Sequence, residues 1–209
     1  MTRGEIKAEA ARVLRAEADA LRAVADSMDM DAVASAVEML AGCPGKIALC
    51  ACGTSAMAAR KIAHTMNCVE RPAFFMIPSD AVHGGLGALC EGDVLVLVSK
   101  GGDTKELAAL IPACRSKGAK IIAVSENAGS LIARNADLFL QVRAGREPCP
   151  FGMLATASSL AAIAVFDAIS VALMGYTGYT RERFARIHPA GAVGERLLKA
   201  GEIGGETVG

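Results

Sequence analysis

The chain has 209 residues, enough for one domain with a sizeable core, and its 22 basic residues balance 22 acidic ones. That balance argues against a nucleic-acid surface, which draws on a basic excess, and the lack of Trp with only 4 % aromatics argues against a stacking platform for bases. Hydrophobic residues reach 53 %, but many are Ala, which favours close-packed helices over a membrane, and no run attains the roughly 18 uninterrupted apolar residues of a span.

Taken in order, Arg3 to Met28 places Ile6, Val13, Leu14, Leu21 and Val24 at near-helical spacing and predicts one long amphipathic helix. The charged stretch Met1 to Arg22 has no apolar signal segment, so a cytoplasmic location is expected. A second helix, Asp31 to Leu40, ends at Cys43-Pro44-Gly45. The pattern then alternates. Strands are expected at Ile47–Cys52, Ala73–Ile77, Asp93–Ser99, Lys120–Val124 and Asp137–Val142. Helices are expected from Gly53 to about Asn67 and from Thr104 to Lys117, with a short one before the last strand. Continuous apolar strands joined by helices mean a parallel sheet covered on both faces. After Val142 comes an irregular stretch, Arg143 to Met153, and then a long buried helix, Thr156 to Met174. The expected organisation is an N-terminal helical segment over residues 1–42 packing on the core, a main domain over residues 43–200, and a Gly-rich disordered tail over residues 201–209.

Seven cysteines, an odd and scattered set, are expected as thiols. Cys50 and Cys52 fall on one face of a strand and read as small core side chains, because no second pair stands at metal-ligand spacing.

Doubly wound sheets bind ligands beyond the carboxyl ends of their strands. Two turns there are rich in Gly and hydroxyls and lead into helices: Gly53-Thr54-Ser55, and Ser99-Lys100-Gly101-Gly102-Asp103-Thr104. Helix N-termini offer unpaired N–H groups and a positive dipole end, so hydroxyls and amides there make a phosphate cradle. The same residues are ordinary caps and turn formers, but two such turns after neighbouring strands favour the cradle. Neither turn is G-x-G-x-x-G nor a lysine-bearing P-loop, so neither a dinucleotide nor nucleotide hydrolysis is indicated.

The chain resembles sugar isomerase (SIS) domains, and among them the D-arabinose 5-phosphate isomerases. The resemblance rests on Cys52-Gly-Thr-Ser55, Ala59-Arg-Lys-Ile62, Pro72-Ala-Phe-Phe75, His83-Gly-Gly-Leu-Gly87, Asp93-Val-Leu-Val96, Glu147-Pro-Cys-Pro150, Ala155-Thr-Ala-Ser158 and Phe184-Ala-Arg-Ile-His-Pro-Ala-Gly191, between about residue 40 and Leu198. It implies a flavodoxin-like, three-layer α/β sandwich with a five-stranded parallel sheet, usually in a homotetramer. It implies a phosphorylated sugar held by Ser55, Ser99 and Thr104, with Thr54, Lys100 and Gly101 in the same two turns, and aldose–ketose isomerisation through a cis-enediol with no metal or organic cofactor. Many relatives carry two regulatory CBS modules after this domain; the sequence in hand shows none, which leaves the catalytic-type domain alone as the expectation.

By family position Glu106, Glu147, His83 and His188 match functional residues. Moving a proton between C1 and C2 needs a base and a group that shuttles protons on oxygen. The resemblance makes Glu147 or Glu106 the base and His188 the group for ring opening or oxygen proton transfer. Read without it, Glu106 is an acid in a first helical turn, Glu147 sits in an irregular loop of the kind that carries function, His83 can end a helical turn before Gly84-Gly85, and His64 is a surface or interface residue. Two departures stand out. The branch usually reads Gly-Lys-Ser in the first turn, where this chain has Thr54, and Ser-x-Ser-Gly-Glu-Ser/Thr in the second, where it has Gly101 and Asp103. Lys100 either restores the missing charge beside the phosphate or points into solvent. Three readings stay open: an isomerase, a non-catalytic phosphosugar-binding regulatory module, and a cytosolic oligomer whose cysteines bind metal.

Overall fold

The computed structural model describes residues 1–191 and residues 194, 196 and 197; the tail expected to be disordered, residues 201–209, lies outside them. Helix α1, Arg3–Ser27, starts at a capping box in which Thr2 and Glu5 satisfy each other's amides. Helix α2, Met30–Ala41, starts where the Asp29 carboxylate accepts from the amides of Asp31 and Ala32.

Five strands follow: β1 Ile47–Ala51, β2 Ala73–Met76, β3 Val94–Val98, β4 Lys120–Ser125 and β5 Leu138–Gln141. They form one parallel sheet in the order β2-β1-β3-β4-β5, the flavodoxin-like winding. The central strands are apolar on both faces and wholly buried (Ile47-Ala-Leu-Cys-Ala51, Val94-Leu-Val-Leu-Val98). Each face therefore needs a helical layer. On one side α2, α3 (Gly53–Cys68) and α8 (Ala157–Tyr176) cover Leu49, Val96, Ile122 and Leu140, with α1 packed on α8. On the other, α4 (Pro78–Ala81), α5 (Lys105–Ala108), α6 (Ile111–Ser116) and α7 (Leu131–Arg134) cover Cys50, Leu95, Leu97 and Ile121. Helix α9, Arg181–Arg186, sits at the far end of α3.

The single helix expected over Thr104–Lys117 is two, α5 and α6. Pro112, in the first turn of α6, has no N–H to continue the α5 ladder, and its ring clashes with the carbonyl four residues before, so the helix restarts. Helices α4 and α9 are too short to leave a periodic trace in the sequence. Helix α8 is long and apolar enough, by length and composition alone, to cross a membrane. Here it is a core helix: Ala161, Val165, Phe166, Ile169 and Leu173 are buried, and Asp167 pairs with Lys61 of α3.

The register carries the functional consequence. Ala51 pairs with Val98 and Val98 with Val124, so β1, β3 and β4 end level and their following turns emerge side by side. At the opposite end of the sheet Asp93, 1 % exposed, ties the start of β3 to the turn before β1. Its Oδ1 accepts the Lys46 amide at 2.7 Å, and its Oδ2 the Lys46 ammonium at 2.9 Å and the Cys90 amide at 2.8 Å. Burial pushes this carboxyl up, but the Lys46 amide, Lys46 ammonium and Cys90 amide outweigh burial and hold it below its usual value. Its contribution is therefore complete above the unfolded carboxylate range and is lost as the pH falls through the depressed folded value. Asp93→Ala is expected to cost about 3 kcal/mol at pH 7. In urea unfolding followed by circular dichroism, the gap from wild type should narrow below about pH 4.

Candidate functional site

Beyond β3 the chain turns sharply, and the turn is organised by Ser99. Its Oγ accepts the Gly102 amide at 3.1 Å and shares a hydrogen bond of 2.8 Å with Thr104 Oγ1. The turn is pinned to β4 because the Ser125 hydroxyl and the Glu126 amide both donate to the Lys100 carbonyl, at 2.9 and 3.0 Å. Gly102 has φ +77°, and a Cβ there would lie 2.7 Å from Ser125 Oγ and closer still to Ser130 Oγ, so no other residue fits this close approach.

The turn after β1 enters α3, and the irregular loop after β5 enters α8. Between them a cleft opens above β3, β4 and β5. Its polar wall is Ser55, Ser99, Lys100, Ser125, Glu126, Ser158 and Ser159, over a floor of Val98, Val124 and Val142. The enclosed part is about 20 Å³, room for water and not for a sugar, so a larger ligand must lie across the open mouth. Ser159 Oγ is buried on this wall with no hydrogen-bond partner among the described residues, an unsatisfied group of the sort a bound polar ligand engages.

Lys100 lies on the cleft wall. Its ammonium donates to the Gly145 carbonyl at 2.8 Å and to Glu147 Oε1 at 3.0 Å. Glu147, 4 % exposed, accepts the α8 N-terminal amide of Thr156 on Oε2 at 3.0 Å and that of Ser158 at 3.5 Å. Burial pushes the Glu147 carboxyl up, yet the Ser158 hydroxyl, the Thr156 amide and the Lys100 ammonium prevail and hold it below the usual carboxylate value. Glu126 completes the support: its Oε1 accepts the amides of Ala144 and Gly145 at 2.9 and 3.0 Å.

Of the residues singled out in the sequence, Ser55, Ser99 and Lys100 share the cleft wall, and Lys100 brings Glu147 with it. Thr104 stands behind Ser99, while Thr54 and Gly101 are exposed outside the wall. Glu106 is exposed on α5, close enough to Cys52 for its charge to help raise that thiol's pKa, after burial. His83 is exposed just beyond α4, whose helix touches α5, so it stands on the same end of the sheet as Glu106. His188 does not join them within one chain. Its ring stacks on Phe184 with centroids 3.9 Å apart, its Nδ1 meets the Phe184 carbonyl at 2.8 Å, and α9 is held by Arg183 on Glu70 at the end of α3 remote from the cleft. Sequence reasoning did not assign Ser125, Glu126, Ser158 or Ser159 to the site. The rule that ligands sit beyond strand ends would have reached the first two, which follow β4 as Ser99 follows β3.

Residues 39–172 match the family described as the SIS domain. The chain belongs to the SIS domain family. The arabinose 5-phosphate isomerase KpsF of Escherichia coli O6:H1 is 33 % identical over 187 residues, 90 % of this chain and 57 % of KpsF. The arabinose 5-phosphate isomerase KdsD of Shigella flexneri is 38 % identical over 163 residues, 78 % of this chain and 50 % of KdsD. The chain thus spans about half the length of the curated relatives it matches. Among solved structures, a sugar-phosphate isomerase homologue from Listeria monocytogenes superposes with a TM-score of 0.89 at 49 % identity, covering 91 % of this chain and 100 % of that one. The Escherichia coli CFT073 protein c3406, solved in complex with arabinose 5-phosphate, gives 0.86 at 30 % identity, covering 90 % and 100 %. The five-stranded parallel sheet of this SIS domain is the fold of these neighbours.

Next to Glu147, the Cys149 sulfur accepts the amides of Leu154 and Met153, each at 3.2 Å, and these lower its pKa. Burial pushes Cys50 to about 12 and Cys114 to about 11. Iodoacetamide at neutral pH should therefore label Cys149 at least about tenfold faster than the buried thiols. Peptide mapping checks this, and Cys149→Ser should remove the fast phase.

Proposed function

We propose that the cleft binds a phosphorylated sugar and that the chain interconverts aldose and ketose phosphates, with D-arabinose 5-phosphate and D-ribulose 5-phosphate the first pair to test. One observation carries this: the turns after β1 and β3 and the N-terminus of α8 converge on one cleft, with helix-start and turn hydroxyls and a lysine facing it. Amides, hydroxyls and an ammonium are what a phosphate ester needs. The arabinose 5-phosphate complex of c3406 and the KpsF and KdsD names supply the pentose.

In the open-chain sugar a carboxylate takes the proton from C2 of the aldose, the C–H electrons form a C1–C2 double bond, the carbonyl pair moves to O1, and O1 takes a proton to give a cis-enediol. Returning the first proton to C1 while the hydroxyl proton leaves O2, to the group that protonated O1, gives the ketose. We assign the carbon-bound proton to Glu147, which is ionised at neutral pH and fixed by α8. Glu106 and His83 stand on the exposed side of the same sheet end for protons on oxygen. No step here calls for a metal or an organic cofactor. A phosphosugar-binding module without turnover is the second reading, favoured by Glu147 having both oxygens engaged.

We also propose a homotetramer in the cytoplasm. The apolar groove between α1, α2 and α8 (Leu21, Met28, Val33, Val165) adjoins a second one that reaches Tyr176 of α8, 63 % exposed, and Val171 on the same helix is 68 % exposed, more apolar face than one chain covers. Seven free thiols suit a reducing compartment. A second copy also gives His188 a cleft to serve, since it is remote from its own.

Incubation with ribulose 5-phosphate in deuterated water should exchange hydrogen at C1, read by NMR. Glu147→Gln should lower the rate about 10²- to 10⁴-fold without raising KM. Binding without exchange in the wild type supports the module instead. Sedimentation velocity should show four chain masses, and Val171→Asp should shift the protein to smaller species; a monomeric wild type would overturn the assembly.

A further inference from the structure

Lys100 is placed between two acidic demands. On one side is Glu147 Oε1 at 3.0 Å, on the other the cleft whose wall Lys100 shares with Ser55, Ser99, Ser158 and Ser159. An ammonium has three donors, and two are used, on Glu147 and on the Gly145 carbonyl. The Lys100 side chain is 33 % exposed against 2 % for Glu147, so the cation stands at the mouth and the carboxylate behind it.

We propose that a phosphate in the cleft shares and then draws off the Lys100 ammonium, so that substrate occupancy frees one oxygen of Glu147 and loosens the link to Gly145. This rests on the phosphosugar reading above and adds a positioning role for Lys100: it reports the phosphate to Glu147.

The exchange is balanced on each side. A phosphate ester brings about −1.5 to −2 charge near neutral pH, more than the single charge of a carboxylate, and the four-carbon lysine stem can rotate without moving the backbone. Glu147 is not stranded as an unpaired buried ion when Lys100 leaves. Its Oε2 keeps the Thr156 and Ser158 amides, and the Ser158 hydroxyl remains. The Gly145 carbonyl lies on an exposed residue and regains water. The loop itself stays anchored, because Glu126 holds the Ala144 and Gly145 amides independently of Lys100. The motion is thereby confined to one side chain and one carboxylate oxygen.

The test is calorimetric binding of D-arabinose 5-phosphate, and of inorganic phosphate as the bare probe, to the full chain, between about 50 mM and 500 mM salt. Lys100→Met should weaken both about tenfold or more at low salt, and the difference should shrink at high salt. Lys100→Arg should recover most of the affinity. Glu147→Gln leaves Lys100 in place and removes its competitor, so it should bind inorganic phosphate several-fold tighter, a gain that disappears in the double variant Lys100→Met/Glu147→Gln. A lysine that merely braced the loop would lower the melting temperature and leave the salt dependence of affinity unchanged. Equal affinity and equal salt slope for wild type and Lys100→Met, or no tightening in Glu147→Gln, overturns the proposal while the wild type still binds the sugar phosphate. A folded wild type that binds neither probe overturns this proposal and the phosphosugar reading together.

Discussion

Everything at the candidate site depends on burying apolar strands on both faces in parallel register. A strand such as Val94-Leu-Val-Leu-Val98 has no solvent side. It can pair only inside a sheet that is covered twice, and parallel pairing with helical crossovers is how one chain achieves that. Once β1, β3 and β4 are in register, three turns must leave the sheet at the same height. A polar cluster at their common end follows from the geometry of the core.

The polar cluster is then held by anions of the protein itself. Glu147 on the α8 N-terminus and Glu126 on the Ala144 and Gly145 amides fix a loop that has no regular structure of its own. Each carboxylate supplies acceptors to amides that a helix start or an irregular turn leaves unpaired. Lys100 neutralises one of them and faces the cleft with the rest of its side chain. The charges that hold the loop are thus also the ones that face the cleft, and the proposed response to an incoming anion rests on that overlap. At the other end of the sheet, Asp93 does comparable work for the turn before β1 with no ligand in view.

Ser55 and Ser99 were legible because each follows an apolar strand within a few residues, and position along the chain there equals position at the strand end. Lys100 could be flagged as a charge in an unexpected place, yet its partner is Glu147, which no local pattern connects to it. Ser158 and Ser159 fall within the long helix expected over Thr156 to Met174, and they form cleft wall at its first turn. The split of the expected helix at Pro112 was readable in principle, since proline breaks a ladder wherever it falls.

The amino-acid sequence by itself determined the layers, the parallel sheet and the turns that bear hydroxyls, because hydrophobic period, run length and turn chemistry act over a few neighbouring residues. The strand order, the pairing of Lys100 with Glu147 and the removal of His188 to the far end of α3 belong to the tertiary structure alone. They arise from contacts between segments distant in the chain, where packing of α3, α8 and α9 sets which charges meet, and no local propensity encodes that meeting.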